Sequence, residues 1–268
     1  MSAIYTPGGR AREYSPLAVN FYHGCHAEPC AYCFAKSMAA RFGRPWQAVT
    51  TPTMTPAQLA ATFRKHAGSQ QQVLFCFTTD PYSVADVTHG LTRVALTEAL
   101  ANRVPVSILT KGGRRCLRDL DLFKAFGSHI LVGATLTGCD DLEPGAAPNA
   151  ERLDVLRELH AAGVPTWASF EPVIRPDASL ALLREAVHVC DLVKIGKVND
   201  WQGADKGIDW RAFLDAAVAI CEAARCRHYI KTDLWADAGR PAIDQTHRLP
   251  DLFCAEPWPT SASNPLGL

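Results

Sequence analysis

The chain has 268 residues, 48% of them apolar, with 6 Trp and 11 Phe, which is ample for a buried core in one large domain or two small ones. Lys plus Arg and Asp plus Glu both total 27, so no global field draws the chain to nucleic acid or to an anionic membrane, and a polyanionic partner has to be gripped by a local patch. The N-terminal MSAIYTPGGRAREYSP lacks the apolar centre of a signal peptide and no apolar run approaches the roughly 20 residues of a membrane span, so the sequence reads as cytoplasmic.

In chain order, the apolar run PLAVNFY at 16–22 predicts a strand, and helical spacing follows at 31–42 and 56–66. Strand and helix then alternate: QVLFCF at 72–77 and a helix over 87–102, PVSIL at 105–109 and a helix over 117–125, HILVGATL at 129–136 and a helix over 149–162. PTWASF at 165–170, a helix over 179–188, DLVKIG at 191–196, a helix over 209–224 and HYI at 228–230 complete the series. Asn149 reads as the N-cap of its helix, Gly163 as the stop and Pro165 as the opening of the next strand. Such alternation predicts an α/β fold of parallel strands with helical crossovers, either an open doubly wound sheet or a full or partial barrel, and the partial barrel is preferred. Residues 201–268 are read as a last strand and helix unit with an irregular, Pro-rich tail on the same domain as 1–200.

In either architecture chemistry gathers at the C-terminal ends of the strands. The residues there are His23, Gly24 and Cys25; Thr78, Thr79, Asp80 and Tyr82; Thr110 and Lys111; Thr137, Gly138 and Cys139, with Thr135 just inside the strand. Glu171, Pro172 and Arg175, then Lys197 and Asn199, then Lys231 and Asp233 follow the last three strands. One rim collects these polar groups.

The 10 Cys divide in two. Cys76, Cys116, Cys139, Cys190, Cys221, Cys226 and Cys254 are scattered, as small buried hydrophobes are, and include no CxxC pair. Cys25, Cys30 and Cys33 instead crowd one loop as Cys-x4-Cys-x2-Cys. A zinc ion needs a fourth ligand, for which His23 or His26 is available. A four-iron cluster takes three thiolates and leaves one iron open to a small molecule. The thiol count and the lack of a second CxxC favour the cluster.

The triplet, with Tyr32 before its last Cys in CAYCFA, resembles the signature of the radical S-adenosylmethionine (SAM) superfamily, although four residues rather than the usual three separate the first two Cys. Further stretches, FTTDPYSVADVTHGLTRVALTEAL, VSILTKGGRRCLRDLDLF, ATLTGCDDLEPGAAPNAERLDVLRELHAAGVPTWASFEPVI and VKIGKVN, are similar to its spore photoproduct lyase-like branch. The resemblance covers residues 17–200 and implies a partial (β/α)6 barrel. It also implies a [4Fe–4S] cluster on Cys25, Cys30 and Cys33, S-adenosyl-L-methionine chelating the fourth iron, and reductive cleavage to a 5′-deoxyadenosyl radical that abstracts hydrogen from a C–H bond. An electron donor such as flavodoxin or ferredoxin is implied with it.

Carried onto matching positions, the resemblance sets Tyr32 near the adenine. Thr78 and Thr79 would meet the amino-acid end of the cofactor, Lys111 its carboxylate, and Thr135 the ribose or carboxylate. Asp80 would orient the turn over 78–82, and Glu171 would meet ribose hydroxyls or substrate. Lyases of the branch return hydrogen from a protein thiol, for which Cys76 and Cys139 are the candidates. Lys111, Arg114, Arg115 and Arg118 in KGGRRCLR form a candidate phosphate patch, and Trp201, Trp210 and Trp235 are candidates to stack a base, so a nucleic-acid or nucleoside-like substrate is one expected class. A zinc-stabilised nucleic-acid-binding module without catalysis is the alternative. A hydrolytic or phosphate-binding barrel finds no Gly-rich phosphate loop or nucleophile elbow to support it.

Overall fold

Parallel strands need helical crossovers to return the chain to the same edge. The computed structural model, which describes residues 3–25, 29–46, 48–199, 201–241 and 258, is built that way. Its strands are β1 (Ile4–Tyr5), β2 (Leu17–Val19), β3 (Tyr22–His23), β4 (Thr51–Pro52), β5 (Val73–Phe75), β6 (Val106–Thr110), β7 (Ile130–Thr135), β8 (Thr166–Val173), β9 (Leu192–Lys197) and β10 (Arg227–Ile230). Its helices are α1 (Phe34–Arg41), α2 (Pro56–Lys65), α3 (Val84–His89), α4 (Leu91–Ala101), α5 (Leu120–Phe126), α6 (Asn149–Ala161), α7 (Pro176–Ala186), α8 (Trp210–Ala223) and α9 (Thr232–Asp237). One sheet runs β1-β2-β5-β6-β7-β8-β9-β10. β1 lies antiparallel on β2, and every later pairing in that sheet is parallel. β3 and β4 form a separate antiparallel ribbon. Each expected strand run contains one parallel strand, and the whole is an α/β partial barrel with outer helices. Among the described residues no helix is long and apolar enough to cross a membrane.

The strand period sorts the barrel into two layers. Val132, Ala134, Ala168, Phe170, Val193 and Ile195 pack outward in the large apolar clusters that the helices complete. Leu131, Trp167 and Leu192 alternate with them and pack inside, with Tyr14 and Leu109. By the same alternation Gly133, Ser169, Glu171, Lys194 and Gly196 share the inner face.

The structure departs from the sequence expectations at four places, each with a local cause. The helix expected over 87–102 is broken at Gly90, whose φ is +63°, between α3 and α4. Asp86, fully buried, holds the break by accepting from Tyr22 Oη at 2.5 Å and Thr92 N at 3.0 Å while pairing with Arg118. The strand expected over 16–22 divides at residues 20–21 into β2 and β3, which join different sheets. The helix expected over 117–125 opens as a 3-10 stretch, Gly113–Asp119, before α5. Asn149 is not an N-cap but the first helical residue. Its Oδ1 accepts from Thr137 N at 2.9 Å and Gly138 N at 3.2 Å, and Asp140 Oδ1 accepts from its backbone N at 2.8 Å, so the side chain pins the loop after β7 onto α6.

Gly133 is where the inner layer is tightest. A Cβ there would lie 2.6 Å from Trp167 O and overlap the indole, whose Nε1 donates to Ile108 O at 2.8 Å. Gly133→Ala is therefore expected to cost about 1–3 kcal/mol as overpacking. Thermal unfolding should show Tm falling by about 2–4 °C per kcal/mol lost, and an unchanged Tm would show that this layer has slack.

Candidate active site

The thiol loop leaves β3 through Gly24, whose φ of +82° suits a residue without a side chain. Gly24 O accepts from Thr79 Oγ1, so the first Cys is tied to the loop after β5. Cys33 N donates to Cys30 O at 3.0 Å, closing a turn, and Cys33 is the N-cap of α1, its carbonyl accepting from Ser37 N at 3.2 Å. Cys25, Cys30 and Cys33 are all half-buried.

One ion cluster fastens this loop to the barrel. Ala31 N donates to Leu142 O at 2.9 Å, and the Tyr32 hydroxyl donates to Glu143 Oε1. Lys111 Nζ, arriving from the end of β6, lies 2.8 Å from Glu143 Oε1, 2.7 Å from Tyr32 Oη and 3.3 Å from Cys30 Sγ. On the far side of the carboxylate, Arg152 of α6 pairs with Glu143 Oε2 and donates to Thr135 O at 2.6 Å and Ala147 O at 2.7 Å. The side chains of Glu143 and Arg152 are 0% and 1% exposed, so neither charge is solvated and each depends on the other. Asp80 sets the lysine from behind: Oδ2 accepts from Lys111 N at 2.7 Å, and Oδ1 accepts from Thr110 Oγ1 at 2.6 Å and Tyr82 N at 2.8 Å.

The electrostatics are mutually consistent. Burial alone would neutralise Glu143, but Lys111 and Arg152 outweigh it and hold the carboxyl below its usual range. Burial likewise opposes charge on Lys111, yet Glu143 and Cys30 raise its pKa. Burial, then Glu143 and Cys30, push the Tyr32 phenol far up, so it stays a protonated donor.

A second polar group lines the inner wall. Buried Lys231 pairs with Glu171 and sits 3.5 Å above the Tyr14 ring, whose hydroxyl also donates to Glu171. Lys194 Nζ donates to Tyr14 O at 2.7 Å and Glu13 O at 3.2 Å. Gly196 makes room, since a Cβ there would meet Lys231 Cδ at 2.8 Å and Glu171 Cδ at 2.9 Å.

Thus Cys30, Tyr32, Lys111, Asp80 and Thr79 are joined by bonds around the thiol loop, while Thr135 enters through its carbonyl and Glu171 belongs to the inner wall. Thr78 N donates to Asn20 Oδ1 at 3.4 Å. Cys76 is buried in the outer apolar cluster with Val19 and Phe75, because its φ of +55° breaks the strand alternation, and burial pushes its thiol up. Cys139, fully buried, donates to Thr137 O at 3.5 Å. Neither thiol bonds to the Lys111 cluster. The four cations of KGGRRCLR are all engaged within the protein: Lys111 as above, Arg114 with Glu158, Arg115 with Tyr82 O at 2.7 Å and Arg118 with Asp86. Of the three Trp, Trp201 meets the site, edge-on to Tyr32 with centroids 6.3 Å apart. Glu143, Arg152, Tyr14 and Lys231 were not singled out for these roles from the sequence. Arg152 carried a signal, a cation three and seven residues before buried Val155 and Leu159 on the apolar stripe of α6.

Among the described residues no three His, Cys, Asp or Glu side chains converge on a single ion, and His26, the other candidate fourth zinc ligand, lies outside the described residues. A cube instead offers a separate iron to each thiolate, which suits three thiols spread along one loop with a cation beside Cys30.

A parallel partial barrel with such a loop at its mouth defines a radical SAM protein. A model of the radical SAM superfamily matches residues 19–188, and the chain belongs to that superfamily and is an enzyme of it. Among relatives, an uncharacterised protein of Methanocaldococcus jannaschii is 31% identical over 166 residues, 59% of this chain and 60% of that one. An uncharacterised Mycobacterium tuberculosis protein is 27% identical over 168 residues, 58% of this chain and 49% of that one. The match therefore spans about half to three-fifths of those relatives' length. Among solved structures, spore photoproduct lyase with bound AdoMet and dinucleoside spore photoproduct has a TM-score of 0.64 at 14% identity, covering 81% of this chain and 76% of that one. Streptococcus suis SuiB bound to S-adenosylmethionine has a TM-score of 0.56 at 9% identity, covering 82% and 48%.

Removing the central charge tests the fastening. Glu143→Gln strands Arg152 and Lys111 and is expected to cost about 3–5 kcal/mol in urea unfolding. A loss under about 1 kcal/mol would mean that the cluster holds nothing. Glu143, with its lowered pKa, stabilises above the unfolded carboxylate value of about 4.3 and loses that contribution as pH falls through the folded value. Lys111, with its raised pKa, stabilises below about 10.4 and loses that contribution as pH rises through its folded value. The difference between wild type and Glu143→Gln should therefore be flat from about pH 5 to 10 and shrink at lower pH.

Proposed function

We propose that Cys25, Cys30 and Cys33 hold a [4Fe–4S] cluster whose open iron takes S-adenosyl-L-methionine, and that the enzyme abstracts a hydrogen atom from a substrate C–H bond inside the barrel. The observation that carries this reading is the half-buried three-thiol loop, fastened by Tyr32 and Lys111 to the mouth of a parallel barrel. Bound together, the two groups supply reductive cleavage of the sulfonium C5′–S bond and so a carbon radical that attacks unactivated C–H bonds.

The chain's own residues position and protect. Lys111 brings a cation from β6 to the thiol loop, and Asp80 fixes the backbone from which it projects. Tyr32 and Glu143 stop the loop from swinging into water. Along the inner wall Tyr14 and Lys231 both meet the Glu171 carboxylate, so the charges of this lining offset one another, which suits a reaction that water must not enter. Ser169, fully buried on that wall with its Oγ 3.5 Å from Tyr14 Oη, adds a hydroxyl. Thr78, Thr79 and Thr135 remain our candidates for the cofactor, and Cys76 and Cys139 for hydrogen return, the latter requiring their buried thiols to be exposed. The fold likeness to an enzyme that binds a dinucleoside supports nucleic-acid or nucleoside-like substrates as the first class to screen.

Anaerobic reconstitution with iron and sulfide should give a brown protein containing both. Dithionite should then drive it to convert S-adenosylmethionine to 5′-deoxyadenosine and methionine. Replacing the three Cys by Ala should abolish colour and turnover. A triple variant that keeps both, or a protein that takes up one zinc and no iron, would overturn the assignment.

A further inference from the structure

One of the three groups around the Lys111 ammonium is a thiol. An ammonium carries three N–H donors and no acceptor. Nζ of Lys111 meets three acceptors: Glu143 Oε1 at 2.8 Å, Tyr32 Oη at 2.7 Å and Cys30 Sγ at 3.3 Å. All three donors are therefore engaged, and a further anion, the carboxylate of a bound small molecule included, reaches Nζ only by displacing one of them. Displacing Glu143 or Tyr32 would undo the fastening of the thiol loop, since these are the groups that tie it to the barrel.

The position of that ammonium is fixed by the backbone from which it projects. Lys111 N donates to Asp80 Oδ2 at 2.7 Å and Lys111 O accepts from Ala147 N at 2.9 Å, so the loops after β5 and β7 hold it from both ends. The next residue has no slack, because a Cβ on Gly112 would lie 2.7 Å from Tyr82 O. The Tyr32 ring backs the ammonium, with its centroid 4.7 Å away. The charges are uneven as well. Lys111 and Arg152 share the carboxylate of Glu143, while the Asp80 carboxylate is taken up by Lys111 N, Thr110 Oγ1 and Tyr82 N. With the lysine side chain only 20% exposed, little water screens its charge from Cys30.

We propose that Lys111 tunes the cluster through Cys30: its ammonium donates to the thiolate sulfur and stabilises the reduced state, rather than anchoring the carboxylate of S-adenosylmethionine. The proposal rests on the cluster reading above. Reduction adds one electron, here from dithionite, to a cluster already held by three thiolates, with no bond or proton exchanged. A cation 3.3 Å from one of those sulfurs offsets the added charge. Hydrogen bonds to the sulfurs and net charge are what set the potentials of such clusters. A bond from a charged donor is about twice as strong as one from a neutral amide. Lys111 therefore acts as a positioning residue for the electron rather than for the small molecule.

The test uses full-length protein reconstituted with iron and sulfide, together with Lys111→Met and Lys111→Arg, without S-adenosylmethionine. Potentials are read by dithionite titration followed by electron paramagnetic resonance of the reduced cluster. Lys111→Met should lower the potential by a tenfold or larger change in the reduction equilibrium, about 59 mV for one electron. Lys111→Arg, which keeps the charge, should recover most of that loss. A second measurement needs no substitution: wild type grown with lysine carrying the heavy nitrogen isotope should show coupling of that nitrogen to the reduced cluster in pulsed resonance. The coupling decides the matter if Lys111→Met takes up no iron. A Lys111→Met cluster at the wild-type potential would overturn the proposal, as would wild type without a lysine coupling. A variant that keeps the potential but loses S-adenosylmethionine in equilibrium dialysis makes Lys111 the carboxylate anchor instead. Wild type that takes up no iron and sulfide defeats the cluster reading and this proposal with it, whereas iron-loaded protein whose potential ignores residue 111 defeats only the proposal.

Discussion

The buried carboxylate of Glu143 is the joint on which the mouth of the barrel depends. It is acceptor-only, and the structure fills it from three directions, with Arg152 on one oxygen and Lys111 and Tyr32 on the other. Taking such charges out of water costs several kcal/mol each, so the arrangement adds little net stability over an apolar plug of the same volume. Its value is geometric. A carboxylate whose partners come from α1's leading loop, the end of β6 and α6 can be satisfied in only one relative placement of those elements. Displacing any of them leaves a buried charge alone. The thiol loop is thereby held in register with the strand ends although it makes few apolar contacts of its own.

That joint also marks where sequence reading ends. The parallel strands were legible because strands covered on both faces read as short β-branched runs between turn residues, as Ile130–Thr135 and Leu192–Lys197 do. The thiol triplet was legible because its spacing is local, and Lys111 and Asp80 were legible as polar residues closing a strand. Glu143 and Arg152 were not, since a loop glutamate and a helix arginine acquire meaning only when β7 and α6 pack around them. The same holds for the break at Gly90. Helical spacing runs through 87–102, and only Asp86, reaching back to Tyr22 and forward to Thr92, makes two helices of it. Cys76 shows a third kind of limit. Strand alternation alone left its side undecided, and a single positive φ decided it.

The inner wall follows a related logic with a different outcome. β8 and β9 alternate Trp167, Ser169, Glu171 and Leu192, Lys194, Gly196 toward the interior, so a barrel that is apolar at one level becomes polar at the next. The N-terminal segment supplies what those polar groups need: Glu13 and Tyr14 offer carbonyls to Lys194, and Tyr14 offers its hydroxyl to Glu171. A stretch before β2 therefore completes a wall built mostly by β8 to β10. The polar groups of the wall face one another, with Tyr14 and Lys231 on Glu171 and the carbonyls of Glu13 and Tyr14 on Lys194.

These two constructions give the thiol loop unlike sides. Toward the barrel it is bonded at Gly24, Ala31 and Tyr32. Toward solvent it runs straight into α1, where Met38 and the following Phe42 are exposed while Phe34 packs on the Phe77 ring with centroids 5.3 Å apart. A loop so placed is held on its barrel side by hydrogen bonds and continues on its other side into a helix with no buried residue. The alanines of α1 fit this division. Ala35 and Ala39 are the half-buried positions of α1, so the helix approaches the protein there through small side chains. The same short segment thus joins a hydrogen-bonded inner side to a helix that contains no buried residue.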